Sequence, residues 1–276
     1  MSLPNELVDH ILSFLQSDLD NLKKCAQSHP ILSKFAERYI YAKIRLYDNG
    51  RYAFGPKCLT LRTNEFAQVI ARNPNITNHV HSLDLHVQTN VEHKAMTSYL
   101  NNVASMLPTF SRLKKITLNG GAVGLASHAS WHTLPEVFCQ AFQRLLHLQC
   151  LKDAIIYHIS FLPLYLFNNC HKTLRMTLCE CVDVQYDKGS IGGQPYQPLE
   201  HLTIKFCQPL DKITSLVQTC SLRSLRVKSE KSELVVLPQL LSSCSSTLIN
   251  LDLDTSRFGM SSSNPTFSKL TIHCTV

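Results

Sequence analysis

Cys170, His171, Cys179 and Cys181 are side chains whose types and closeness invite a metal ion. Structural zinc sites draw on such thiolates and imidazoles, but usually through closely spaced pairs of the Cys-x-x-Cys kind, and no such pair occurs here. Free cysteine behaves as a small buried residue, so packing is the better reading for all four. His79 and His81 alternate along an expected strand and share one face, with His86 on the other. His128 and His132 stand four apart, but no acidic residue near them in the sequence completes a familiar ligand set. Both histidine groups therefore read as loop and strand residues, and no metal or cofactor is expected. The chain has no Gly-x-Ser-x-Gly elbow, phosphate-binding Gly-x-x-x-x-Gly-Lys or dinucleotide fingerprint. Gly189-Ser190-Ile191-Gly192-Gly193, with Pro195 and Pro198 beyond it, reads as a loop. Asn75-Ile76-Thr77 has the form of a glycosylation acceptor, which a cytosolic chain does not use. No catalytic residues are assigned, and the chain is not expected to be an enzyme.

The elements that carry these residues belong to an ordinary globular composition, 44% hydrophobic and 17% charged over 276 residues, enough for one or two domains. The N-terminal segment lacks the basic and apolar regions of a secretory signal. The apolar run from Ala154 to Phe167 is broken by His158, Ser160 and Pro163, too short for a bilayer, and reads as a buried strand leading into a helix. The expected location is therefore the cytoplasm or nucleus, where the 11 cysteines would be reduced. The net charge of +7 is scattered, with no basic run longer than Lys23-Lys24 or Lys114-Lys115, which is a weak argument for an acidic partner and none for a nucleic-acid-binding arm.

Residues 3–40 carry three helical patterns. Leu7, Ile11, Phe14 and Leu15 lie on one side of the first, with Val8 and Leu12 beside them; Pro4 suits a first turn and Glu6 the positive end of the dipole. Ser17 or Asp18 can cap a second helix bearing Leu19, Leu22, Cys25 and Ala26, which His29-Pro30 ends. A third, from about Ile31, bears Leu32, Phe35, Ala36, Tyr39 and Ile40. So short a module buries little apolar surface alone and calls for a partner.

The pattern Leu3-Pro4-Asn5-Glu6-Leu7, Ile11-Leu12, Leu15, Asp18-Leu19 and Leu22 resembles the opening of the F-box family, here of the fungal type with a repeat-like C-terminal region. At the end of the module the chain has Gln27-Ser28-His29-Pro30, where that family often has a bulky aromatic. The resemblance implies that Leu3, Pro4, Glu6, Leu7, Ile11, Leu12, Leu15, Leu19 and Leu22 dock on a Skp-type adaptor, and through it on a cullin scaffold.

From residue 78 onward one pattern recurs: apolar, two residues, apolar, one residue, apolar. It appears as Val80-Leu83-Leu85, Leu113-Ile116-Leu118, Leu199-Leu202-Ile204, Leu222-Leu225-Val227, Leu248-Leu251-Leu253 and Phe267-Leu270-Ile272. Leu145-Leu148-Cys150 fits loosely, and Leu174-Met176-Leu178 is out of phase, as though a residue were missing or the strand bulged. Helical segments lie between: 64–71, 96–107, 136–146 (with Thr133 and Glu136 as a capping box), 159–169, 212–219 and 237–243. Strand and helix alternating at about 20 to 33 residues give a solenoid, parallel strands inside and helices outside. The unit from Leu199 to Leu222 resembles the cysteine-containing class of leucine-rich repeat. Cys207 matches the turn after the strand and Cys220 the end of the helix, with Cys170 and Cys244 in similar helix-end positions.

The expected fold is thus α/β: a three-helix F-box over 1–47, a linker and capping segment over 48–77, and a leucine-rich-repeat solenoid over 78–276. The expected function is a substrate receptor of a cullin-based ubiquitin ligase, with a protein substrate on the repeats and neither nucleic acid nor membrane as partner. Lys205, Arg226, Lys228, Asp252 and Asp254 are the candidate substrate contacts, and Asp84, Lys115, Thr117 and Thr203 occupy equivalent positions between apolar strand residues. A repeat scaffold unconnected with ubiquitination, or a hydrolase using a perturbed Cys or His, are the alternatives. The tail after Leu270-Thr271-Ile272 is too short for a capping helix, so this end of the array is expected to be the weaker one.

Overall fold

A computed structural model describes residues 4–47, 58–87, 93–121, 128–167, 175–185, 199–218, 220–229, 235–254 and 269–273. Leu3, Cys170, His171, Leu174, Phe267 and the glycine-rich 189–193 segment lie outside them.

The first helix, α1 (Asn5–Phe14), starts at Pro4, whose carbonyl accepts from the amides of Leu7 and Val8 at 3.1 Å. Of the two capping candidates for α2 (Leu19–Ser28), Asp18 does the work, its carboxylate accepting from the Asn21 amide at 3.1 Å. His29 Nδ1 accepts from Ile31 N at 3.1 Å and opens α3 (Pro30–Ile40), where Pro30 occupies a position that needs no donor. Val8, Leu12, Leu22, Ala36 and Ile40 form a core of their own, joined by Leu59 from the next segment. Tyr39 donates to Asp9 Oδ1 at 2.6 Å and Arg38 pairs with the same carboxylate, which fixes the roll of α1 against α3.

A ten-stranded sheet follows. Its strands run parallel except at the last pairing. The strands begin earlier than the sequence pattern suggests. β1 (Lys43–Tyr47) and β2 (Leu59–Arg62) precede Val80 and pair as Ile44 with Leu59 and Leu46 with Leu61. The sheet thus starts inside the stretch assigned to the helical module, and the supposed linker supplies β2 and α4 (Thr63–Arg72). Beyond them come β3 (Ser82–His86), α5 (His93–Met106), β4 (Lys115–Asn119), β5 (Ala129–Ser130), α6 (Glu136–Leu146), β6 (Asp153–Tyr157), β7 (Ile159–Ser160) and β8 (Arg175–Cys179). β9 (His201–Lys205), α7 (Leu210–Gln218), β10 (Ser224–Lys228), α8 (Leu237–Cys244), β11 (Asn250–Asp254) and β12 (Lys269–His273) follow; across the sheet the strands lie in the order β12-β11-β10-β9-β8-β6-β4-β3-β1-β2, with β12 antiparallel to β11, while β5 and β7 pair separately.

Two apolar rows run across the strands. One is Ile44, Leu83, Ile116, Ala154, Met176, Leu202, Leu225 and Leu251; the other is Leu46, Leu85, Leu118, Ile156, Leu178, Ile204, Val227 and Leu253. They share a single core with Phe66 of α4, Leu100 of α5, Phe138 and Phe142 of α6, Ile213 of α7 and Leu240 of α8. In β1, β3, β4, β6 and β8 to β11 the alternate residues are half-buried or exposed apart from His86 and Cys179, so the face opposite the core is largely polar.

Several expectations change. The Leu145-Leu148-Cys150 segment is no strand: Leu145 lies in the last turn of α6, and the amides of Leu148 and Leu151 close turns on Leu145 and Leu148. The strand of that unit is β6, with Leu151, Ala154 and Ile156 in the apolar positions. β8 is in phase, Met176 and Leu178 standing opposite Ala154 and Ile156. Residues 159–167, the described part of the expected 159–169 helix, do not form one. Pro163 has no amide to give, and the amides of Phe161 and Leu164 donate sideways to Val182 and Gln185 at 3.0 and 2.8 Å. Among the described residues there, β7 and a 3-10 turn, Leu164–Phe167, form. Thr133 makes no capping box; its hydroxyl donates to Ser130 O at 2.9 Å, and Pro135 precedes α6. β12 is antiparallel and so is not a further turn of the parallel array.

Candidate functional site

Three surfaces bring together residues with something to do. The first is the outer side of α1. Leu7, Ile11 and Phe14 follow one another at helical spacing and are 48%, 52% and 72% exposed, with Ile31 at the start of α3 exposed as well. The His10 ring meets Phe14 edge-on at 4.9 Å. Among the nine residues assigned to adaptor docking, Pro4, Glu6, Leu7 and Ile11 are exposed, and Leu15 and Leu19 are half-buried. Leu12 and Leu22 are a correction: at 1% and 0% exposure they fill the core of the module and offer no surface. Phe14, noted on that side of the helix in the sequence but not among the nine, is the most exposed member of the stripe.

The second surface is the polar face of the sheet. In a parallel ladder, side chains at matched positions of neighbouring strands stand side by side, and here they pair by charge. Arg226 Nε lies 2.8 Å from Asp252 Oδ2, Lys228 Nζ 3.1 Å from Asp254 Oδ2, and Arg45 Nη2 2.9 Å from Asp84 Oδ2. Arg175 Nε and Asp153 Oδ1, 2.5 Å apart, repeat the arrangement between β6 and β8. Lys228 also lies over the Phe206 ring, 5.5 Å from its centroid. Four of the five candidate substrate contacts are thus already engaged with one another, and an approaching partner must compete with them. Lys205, Lys115, Thr117 and Thr203 are half-buried on the same face.

The third lies just past the ends of β6 and β8. His128, His158 and Glu180 each offer a donor atom, and all three atoms fall within 4.8 Å of one another. The sequence shows no acidic residue near His128; the fold brings one from two strands away. His132, which the sequence couples to His128, instead packs its ring on Phe161 at 5.3 Å. Cys179 and Cys181 are not part of this group. Cys181 Sγ turns inward to the carbonyls of Cys179 and Ile156, at 3.6 and 3.8 Å.

None of the nine described cysteines forms a disulfide. Burial pushes the Cys139 and Cys179 thiols up to about 11 and that of Cys207 well above its usual value. Such thiols stay protonated and are poor nucleophiles. His86 and His79 move the other way, burial holding each below the ordinary imidazole value. Among the described residues no helix is long and apolar enough to cross a membrane. No family model, curated protein or solved structure matches the chain.

Proposed function

We propose that the chain is a substrate receptor of a cullin-based ubiquitin ligase, with an F-box module over its N-terminal helices and a leucine-rich-repeat solenoid beyond. The observation that carries this reading is the sorting of α1 into two sides. Val8 and Leu12 hold the module together, while Leu7, Ile11 and Phe14 remain exposed at consecutive turns. A self-contained helical cap would be expected to turn such residues inward, since water penalises an exposed apolar stripe. A Skp-type adaptor would cover it. The protein substrate would lie across the polar side of the sheet, where matched positions present Lys205, Arg226, Lys228, Asp252 and Asp254. No chemistry by this chain is part of the reading; transfer of ubiquitin would belong to other subunits.

The test is direct binding of the purified chain to a recombinant Skp-type adaptor, with Leu7→Ser/Ile11→Ser beside the parent. Saturable binding by the parent and its loss in the variant would support the reading. A parent that fails to bind would remove it. Retention of a partner on the sheet by such a chain would make it a scaffold unconnected with ubiquitination.

A further inference from the structure

The ends of β4, β6, β8 and β9 share one device. Each strand's ladder continues for one more residue, and those residues are Gly120, His158, Glu180 and Phe206. The amide of Gly120 donates to Tyr157 O at 2.9 Å, that of His158 to Cys179 O at 3.0 Å, that of Glu180 to Lys205 O at 2.7 Å and that of Phe206 to Lys228 O at 2.7 Å. His158, Glu180 and Phe206 all take a left-handed backbone, with φ of 52°, 50° and 51°, a conformation that side chains other than glycine adopt uncommonly. The chain thus leaves β6, β8 and β9 by the same turn, and residues at this position line up one strand apart, about 4.8 Å. His158 and Glu180 are neighbours in that row.

His128 enters from the opposite side through glycine. A side chain at Gly120 would meet His158 O at 2.6 Å and Ala129 Cβ at 2.8 Å, so only a bare backbone lets the 128–129 segment close down there. The Ala129 amide then donates both to Gly120 O at 2.8 Å and to His158 O at 3.0 Å, which ties the residue after His128 to the backbone of His158. Gly121 does the same for the ring: a Cβ on it would lie 2.7 Å from His158 Cγ and Cδ2. The imidazole rests on that glycine, and the His128 ring tilts over it at 5.7 Å between centroids. His158 Nδ1 is shielded from water and lies 3.2 Å from Glu180 Oε2, yet it is not aligned for a hydrogen bond.

Two imidazoles and a carboxylate held by a hydrogen-bonded backbone are a donor set suited to a first-row divalent ion. Ligands at 2.0–2.1 Å around a tetrahedral ion stand about 3.3 Å apart, so the 3.2 Å between His158 Nδ1 and Glu180 Oε2 already fits. We propose that His128, His158 and Glu180 form a divalent metal site, zinc foremost, with at least one coordination position open to water. All three side chains are half-buried, which leaves that position accessible from solvent. The site lies on the repeat region and does not depend on adaptor docking.

The test uses the full chain, stripped with a chelator and kept reduced with a phosphine. Cobalt(II) alone is titrated in and followed by absorption, and zinc(II) alone is titrated by calorimetry. The expected result is one equivalent bound at micromolar affinity or tighter, with ligand-field bands but no thiolate charge-transfer band. His128→Ala and Glu180→Gln should each weaken binding by about tenfold or more, while His132→Ala should bind as the parent does. His128→Gln, closer in size and polarity, backs up the alanine variant, and circular dichroism confirms that each variant is folded. Absence of binding would overturn the proposal, as would a thiolate band, variants that bind like the parent, or an equal loss in His132→Ala.

Discussion

Replacing Leu7, Ile11 and Phe14 together with serine tests the proposed docking separately from folding. Burying an aliphatic or aromatic side chain completely is worth about 1.5–3 kcal/mol. Leu7 and Ile11 are 48% and 52% exposed, so covering them with a partner gains about 1 kcal/mol each, and Phe14, at 72%, gains about 1.5–2 kcal/mol. The triple variant should therefore lose about 3–4 kcal/mol of adaptor binding, a fall of roughly two to three decades in affinity. Its own stability should change little, because the side chains removed contribute least to the core. Leu12→Ala is the contrasting perturbation. At 1% exposure it leaves a cavity in the small N-terminal core, a loss of about 2–5 kcal/mol, and should open the three helices before the sheet melts. Calorimetric titration against a Skp-type adaptor, with thermal melting followed by circular dichroism, measures both quantities. An adaptor affinity unchanged in the triple variant, or a melting loss as large as that of Leu12→Ala, would show that the two sides of α1 have been assigned wrongly.

Gly120→Ala should lower stability by about 1–3 kcal/mol, since its Cβ would press on His158 O at 2.6 Å; denaturant unfolding unchanged from the parent would contradict this. A double-mutant cycle on Arg226→Ala and Asp252→Ala should give a coupling below about 1 kcal/mol that fades in molar salt, as Arg226 is 58% exposed; a larger, salt-resistant value would count against a surface pair. Stability should fall as pH rises from 9 towards about 11. Over that range the unfolded chain loses thiol protons that the folded Cys139 and Cys179 still hold, and a flat profile in melts would refute it. Amides of the edge strand β12 should exchange before those of β10, which has a partner on each side; mass-spectrometric exchange with the reverse order would rule this out.

The repeated apolar spacing made most of the sheet legible, because each strand needs two inward residues two apart and a third apolar residue before them. It failed where a small or charged residue hid the pattern. Ala154 is a weak apolar signal, so the repeat spacing points to Leu148 in place of β6 even though the apolar run from Ala154 reads as a buried strand, and the Lys and Arg around Ile44 and Leu46 mask β1. A strand's period of two carries no direction, so nothing in Leu270-Thr271-Ile272 announced that β12 runs backwards. The 159–169 segment misled because its amides donate to a neighbouring turn of chain, which local periodicity cannot register. At the α1 surface the sequence marked which residues are apolar, while the bond from Tyr39 to Asp9 sets which of them face out. Glu180 was invisible as a partner of His128 because they are close only through the register of β4, β6 and β8.

The reversal at β12 bears on how molecules of this chain behave when crowded. A parallel sheet grown strand by strand offers an edge whose hydrogen-bonding pattern another copy could extend, a route to end-to-end polymerisation. β12 pairs with β11 over five matched residues in the opposite sense, from Asn250 with His273 to Asp254 with Lys269, and so covers that parallel edge. A copy arriving at this end meets β12 and not β11, so a sheet continued through both molecules would carry one reversed strand at the junction and could not be a uniform parallel array.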